Sequence, residues 1–157
     1  MFKIIDFKKI IKIVFVIYIL FLIYVLFFKT EYRLRLNVNF LSDEHISYCL
    51  NLKPFSTIKR YIKAYINNNI DFAVFLENIF GNFILFMPLS FFVSYRFPKT
   101  SILKFSILMF GITILIEFLQ FILMIGIADI DDIILNFTGA ILVFILINWH
   151  RVIWVIK

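Results

Sequence analysis

Cysteine occurs once in this chain, at Cys49, and histidine twice, at His45 and His150. A single cysteine excludes an internal disulfide, and with the two histidines so far apart no Cys/His metal motif is present. His150 lies between Trp149 and Arg151 at the end of an apolar run, where an interfacial side chain is expected. No serine or cysteine is accompanied by a recognisable base, and no inverted repeat of the carrier type is evident. Charged residues make up only 17% of the 157 positions, too few to cover the surface of a soluble domain of this size. The net charge of +6 does not imply nucleic-acid binding, because the basic residues flank apolar runs or lie on one short helix.

What the chain has instead is apolar sequence. Hydrophobic residues are 63% of it, and the mean hydropathy is +1.00. Phe dominates the aromatic 20% and is read as bulk apolar area in contact with lipid or core. The class is therefore an all-α membrane protein forming a single domain over 1–157. Four runs, at about 10–28, 72–95, 102–123 and 130–149, approach the ~20 residues a helix needs to cross the hydrocarbon. Helix is the expected form, since lipid satisfies no backbone hydrogen bonds. The expected architecture is a four-transmembrane-helix bundle with one long loop, 29–71, on the outer side.

The first run follows Lys3, Lys8 and Lys9 and resembles the start of a signal peptide, but Lys29-Thr30-Glu31-Tyr32 follows it where a small-x-small cleavage site belongs. It reads as a retained signal anchor. With both termini in the cytoplasm, nine Lys/Arg fall inside and seven outside, and the short inner connection FPKTSILK (97–104) is basic while the connection at 124–132 is acidic. This orientation places the polar motifs near the outer face.

Within the outer loop, Tyr32, Leu34, Leu36, Val38 and Phe40 alternate with polar residues, as do Ile46, Tyr48, Leu50 and Leu52, on either side of SDEH (42–45). That period of two is read as a β-hairpin or as two separate extended segments. After Pro54, Ile58, Tyr61, Ile62, Tyr65 and Ile66 recur at helical spacing, with Lys59, Arg60 and Lys63 elsewhere on the surface. An amphipathic helix at the membrane interface fits this pattern, capped by Ser56 or Thr57, its basic side favouring anionic headgroups. A helix simply packed on the membrane domain fits it too.

Carboxylates and carboxamides inside apolar runs are the main functional signal, because ionisable groups at membrane depth usually face a protein interior or a wet cavity. In the second run Asn78 and Asn82 share one stripe, and Glu77 and Gly81 an adjoining one. Gly81 would permit a close backbone approach, and Pro88 would free the carbonyl of Ile84 and kink the helix. Thr113, Glu117 and Gln120 fall on one face of the third run; Asp129, Asp132, Asn136 and Gly139 do so on the fourth, with Asp131 pointing away towards solvent. Asp129 and Asp132 also have the form of an N-cap with a capping-box acid. Capping does not explain Glu117, which lies within a helix among apolar neighbours. The candidate ligand-binding set is thus Asn78, Asn82, Glu117, Gln120, Asp129, Asp132 and Asn136, with no catalytic residue identified.

At these residues the chain resembles the VanZ-like family, whose named member is associated with resistance to the glycopeptide teicoplanin. NLKPF (51–55) matches one family segment. Asn78, Gly81, Asn82, Phe86 and Pro88 match a second, with Ser90 where glycine is usual. Glu117 with Gln120 matches a third, and Asp129, Asp132, Asn136 and Gly139 the last. Many members carry an arginine before that acidic run, where this chain has Gly126-Ile127-Ala128. The resemblance covers about 51–145 and implies a small bacterial membrane protein of the cell envelope.

Two functions are open at this level. The first is an envelope or lipoglycopeptide-resistance factor whose outer-facing pocket takes the polar or cationic group of an amphiphile, a lipid-linked cell-wall precursor or a lipid-tailed antibiotic. The second is a membrane-embedded enzyme acting on such a precursor, using Glu117, Asp129 and Asp132 as oxygen ligands to a divalent cation. No other cofactor is implied. Membrane lipid is a partner in either case, and oligomers remain open.

Overall fold

The computed structural model describes residues 7–28, 49–123 and 125–156, with side chains as far as Trp149. Its elements are helix α1 (Phe7–Phe27), strand β1 (Leu50–Asn51), helix α2 (Ser56–Ile66), helices α3 (Phe72–Leu85) and α4 (Met87–Arg96), helix α5 (Ile102–Ile122), strand β2 (Ala128–Asp129) and helix α6 (Ile130–Ile156). Among the described residues four spans are long and apolar enough to cross a bilayer: Phe7–Phe27, Phe72–Arg96, Ile102–Ile122 and Ile130–Trp149. They agree within a few residues with those expected from hydropathy. This is a multi-pass, all-α membrane protein.

The spans run alternately up and down. Leu26 near the end of α1 meets Gln120 near the end of α5, whereas Phe15 of α1 meets Phe92 of α4 edge-on and Tyr18 stacks on it. Phe105 at the start of α5 lies flat against Phe144 late in α6, their ring centroids 4.1 Å apart. Helix α6 is the hub, packing on α3, α4 and α5. The buried core is Phe86, Leu89, Phe105, Met109, Ile116, Ala140 and Phe144, extended by Leu22 and Leu26 of α1. The remaining large apolar side chains are mostly exposed, as lipid-facing surfaces require.

The second span breaks where proline predicts. Pro88 stands in the first turn of α4, and Leu89 N–H donates to Phe86 O at 3.2 Å. An unbroken helix would have sent that N–H to Leu85. The Leu85 carbonyl is thereby left open, and the Tyr18 hydroxyl donates to it at 2.9 Å. A bare carbonyl in hydrocarbon costs several kcal/mol, so the kink and the Tyr18 contact stabilise each other.

The close approach expected at Gly81 occurs elsewhere. A Cβ built on Gly81 meets nothing within 4 Å, whereas one on Gly139 would lie 1.8 Å from the backbone oxygen of Phe83. One residue on, Ser90 Oγ donates to the Ala140 carbonyl at 2.6 Å. The second span thus lies almost backbone to backbone on α6, a contact that only a residue without Cβ allows.

The arms expected for a β-hairpin lie mainly outside the described residues. Where the second arm enters them, Leu50 and Asn51 pair in parallel with Ala128 and Asp129. This tie brings the segment before α2 against the segment before α6.

Gly139→Ala is expected to destabilise the protein by about 1–3 kcal/mol through overpacking, while Gly81→Ala should be neutral or mildly stabilising, since Gly disfavours a helix interior. Thermal unfolding of the two variants in detergent checks this; equal melting temperatures would contradict the contact.

Candidate functional site

The polar residues converge at the end of the bundle where α5 stops and α6 starts. Asp129 is the N-cap of α6, its Oδ1 accepting from Asp131 N–H at 2.8 Å. In a capping box the acid three residues on, Asp132, would reach back to the Asp129 amide. Here Glu117 of α5 takes that amide, with Oε2 at 3.0 Å from Asp129 N. Asp132 is released from the cap and turns to α3, where Asn82 Nδ2 donates to its Oδ1 at 2.5 Å.

The other oxygen of Asp129 binds the β1–α2 segment. Asp129 Oδ2 accepts from Thr57 Oγ1 at 2.5 Å and from Asn51 Nδ2 at 3.0 Å. The Asn51 amide also donates to Ser56 Oγ and Thr57 Oγ1, at 2.8 and 3.0 Å. Ser56 and Thr57 therefore serve Asn51 and Asp129 instead of capping α2. The residue before that helix, Phe55, has a left-handed backbone (φ 62°) and supplies no side-chain cap.

Asp131 fills the gap. Expected to be solvated, it is fully buried, and its carboxylate accepts three backbone N–H groups at the start of α2: Phe55 at 2.5 Å, Thr57 at 2.8 Å and Ile58 at 3.0 Å. The helical wheel of α6 did place Asp131 away from Asp132. It could not show that α2, some seventy residues earlier, covers that side. Unsatisfied amides at a helix start carry partial positive charge, so a buried carboxylate is stable there without a cation.

The seven candidates thus separate by their partners. Asp132 and Asn82 form the α3–α6 pair, and Glu117, 5% exposed, has Asp132 and Asp129 as its charged neighbours. Asn136, one turn below Asp132, is buried, and its Oδ1 has no hydrogen-bond partner among the described residues. The Asn82–Asp132 and Phe83–Gly139 contacts flank it on the α3 side. Gln120 instead donates its Nε2 to the Leu26 carbonyl at 2.8 Å, closing the last turn of α1. Asn78 donates to Val74 O on its own helix at 2.8 Å. Asp129 is occupied on both oxygens. Four residues of this network escaped the candidate set: Asn51, Ser56, Thr57 and Asp131. Asn51 lies in the quoted NLKPF segment, the one signal that pointed to it.

A model of the VanZ/LLP1 family matches residues 15–153 of the chain. The chain belongs to that family. Comparison with curated proteins and with solved structures gives no match. Within the VanZ/LLP1 fold as it stands here, the polar end can hydrogen-bond a ligand through Asp132, Asn82, Glu117 and Asn136, and its carboxylates attract a cationic group. Among the described residues no three His, Cys, Asp or Glu side chains are grouped to hold a metal ion.

Cys49, fully buried next to β1, reports on this seam, and burial pushes its thiol up from the usual range. Maleimide labelling of the native protein at pH 7 is expected to be slow, because the thiolate is the reactive form. Asp131→Ala removes the acceptor for three amides and should loosen the start of α2 by at least the ~1–2 kcal/mol of a lost cap. Labelling should then accelerate, and hydrogen exchange at 55–58 should rise; unchanged rates in a folded variant would refute the role given to Asp131.

Proposed function

We propose that this VanZ/LLP1 protein is a cell-envelope factor of the bacterial cell membrane that contributes to lipoglycopeptide resistance by holding an amphiphilic ligand at the outer face. Asp132, Asn82, Asn136 and Glu117 would take the polar or cationic head of the ligand. The lipid-facing apolar surfaces of α3 and α5, including Phe80 and Phe118, both about half exposed, would accommodate its tail. The ligand class is a lipid-linked wall precursor or a lipid-tailed glycopeptide such as teicoplanin.

The observation that carries this reading is the exchange of roles between Glu117 and Asp132. A purely structural helix start would use Asp132 as its own capping acid. Here another helix supplies that acid, and Asp132 is turned towards α3, one helical turn from Asn136, whose Oδ1 has no hydrogen-bond partner among the described residues. A buried polar oxygen without a partner costs about 1–3 kcal/mol, a cost that hydrogen bonding to a ligand offsets. The orientation rests on charge. Lys8, Lys9, Lys12, Arg96, Lys99 and Lys104 gather at the end opposite α2, which favours cytoplasmic termini and an outward-facing cluster.

In a strain lacking the protein, wild-type complementation is expected to restore the inhibitory concentration of teicoplanin, whereas Asp132→Asn and Glu117→Ala should not. Losing one such polar contact, at about 1–2 kcal/mol, lowers affinity roughly fivefold to thirtyfold. Asn78→Ala should complement fully, since its amide serves only its own helix. If Asp132→Asn, present in the membrane at the normal level, restores resistance completely, the reading fails.

A further inference from the structure

Helix α2 has three sides: one packs on the bundle, a second meets α3 through Tyr65, and the third is basic. Thr57 is buried and Tyr61 and Ala64 are half-buried towards the bundle, while Ile62, Tyr65 and Ile66 on the second side are exposed. The third side carries Lys59, Arg60 and Lys63 along a shallow depression of about 380 Å³, with Ser56, Asn67 and Asn69 at its ends. We propose that this depression binds the phosphate of an anionic membrane lipid.

Position supports a lipid as the source. Five residues separate Ile66 from Phe72, the first residue of a span. The Tyr65 ring stacks on Phe75 at 5.1 Å and lies 5.7 Å from Phe72. Helix α2 is therefore held at the first turn of a membrane helix, at headgroup depth. Its exposed isoleucines face the acyl boundary while the basic side looks along the headgroup layer. A free phosphate would gain nothing from that apolar side; a lipid would use both.

Charge and geometry support an anion. Among the described residues no carboxylate forms an ion pair with Lys59, Arg60 or Lys63. Two acids that touch α2, Asp129 and Asp131, bind its Thr57 hydroxyl and its first amides instead. Arg60 is aimed by two contacts: its Nη2 donates to Thr57 Oγ1 at 3.3 Å, and the guanidinium lies 5.8 Å over the Tyr61 ring. That leaves the rest of a planar fork to bind phosphate oxygens, with two lysines as point charges beside it. A zwitterionic choline headgroup fits less well, since its own cation would meet the same three.

This assignment does not depend on the Asp132 reading, and its test is separate. Purified protein in non-ionic detergent is titrated with phosphatidylglycerol and phosphatidylcholine, and bound lipid is read by native mass spectrometry. Wild type should retain phosphatidylglycerol preferentially. The Lys59→Gln/Arg60→Gln/Lys63→Gln variant should bind it about a hundredfold more weakly, roughly fivefold per basic side chain. Lys99→Gln/Lys104→Gln, at the opposite end, should bind as wild type does, and Lys59→Arg/Lys63→Arg should retain the preference. Excess inorganic phosphate should leave the lipid bound. Equal retention of the two lipids, or wild-type affinity in the triple variant with an unchanged melting temperature, overturns the site. Displacement of the lipid by inorganic phosphate overturns its assignment to a lipid.

Discussion

The acceptance of one backbone amide by one carboxylate organises the polar end of this protein. Glu117 sits inside an apolar helix and is almost without solvent, where a carboxylate lacking a donor is heavily penalised. Its donor is the amide of Asp129, the residue that opens α6. That bond sets where α5 ends relative to where α6 begins. It also relieves Asp132 of capping duty and lets α6 reach across to α3. Asp129 and Asp131, held at the same turn, are then available to the β1–α2 segment. Four acidic side chains share this small region; backbone amides at helix starts serve Glu117, Asp129 and Asp131, and the Asn82 amide serves Asp132.

Away from that end, single polar contacts tie the spans together. Tyr18 closes the carbonyl opened at the α3–α4 break, Ser90 binds the α6 backbone, and Gln120 closes α1. Interhelical bonds of this kind contribute only about 0.6–2 kcal/mol each. The Tyr18 and Gln120 bonds also cover carbonyl oxygens that their helices leave open, in a solvent that cannot satisfy them. Shape does the rest: Gly139 admits the Phe83 backbone, and Phe105 with Phe144 fills the opposite end of the α5–α6 contact.

The spans were legible in the sequence because bilayer thickness converts directly into a length of apolar chain. The break at Pro88 was legible for a similar reason, since proline acts on its own helix, although the carbonyl that Tyr18 takes is that of Leu85 and not Ile84. The convergence of Asn82, Glu117 and Asp132 followed from helical periodicity applied to three spans. What periodicity could not supply was the partner of each side chain. Gly81 and Gly139 both sit in suitable motifs, and only the crossing of α3 with α6 decides which of them is in contact. Gln120 and Glu117 share a face, yet one closes α1 and the other opens α6. Asp131 was misjudged because its surroundings come from α2, a segment distant in sequence that helical spacing within α6 cannot reveal.

The parallel pairing of β1 with β2, together with the three amides that Asp131 receives, has a consequence for biosynthesis. Phe55 precedes its acceptor by 76 residues, and two membrane crossings lie between them. As the chain emerges from the ribosome, α2 must wait with its first turn uncapped until the last crossing arrives. Completion of this end is therefore the closing event of assembly, and a nascent chain halted before Asp131 carries a helix whose docking place has yet to be made.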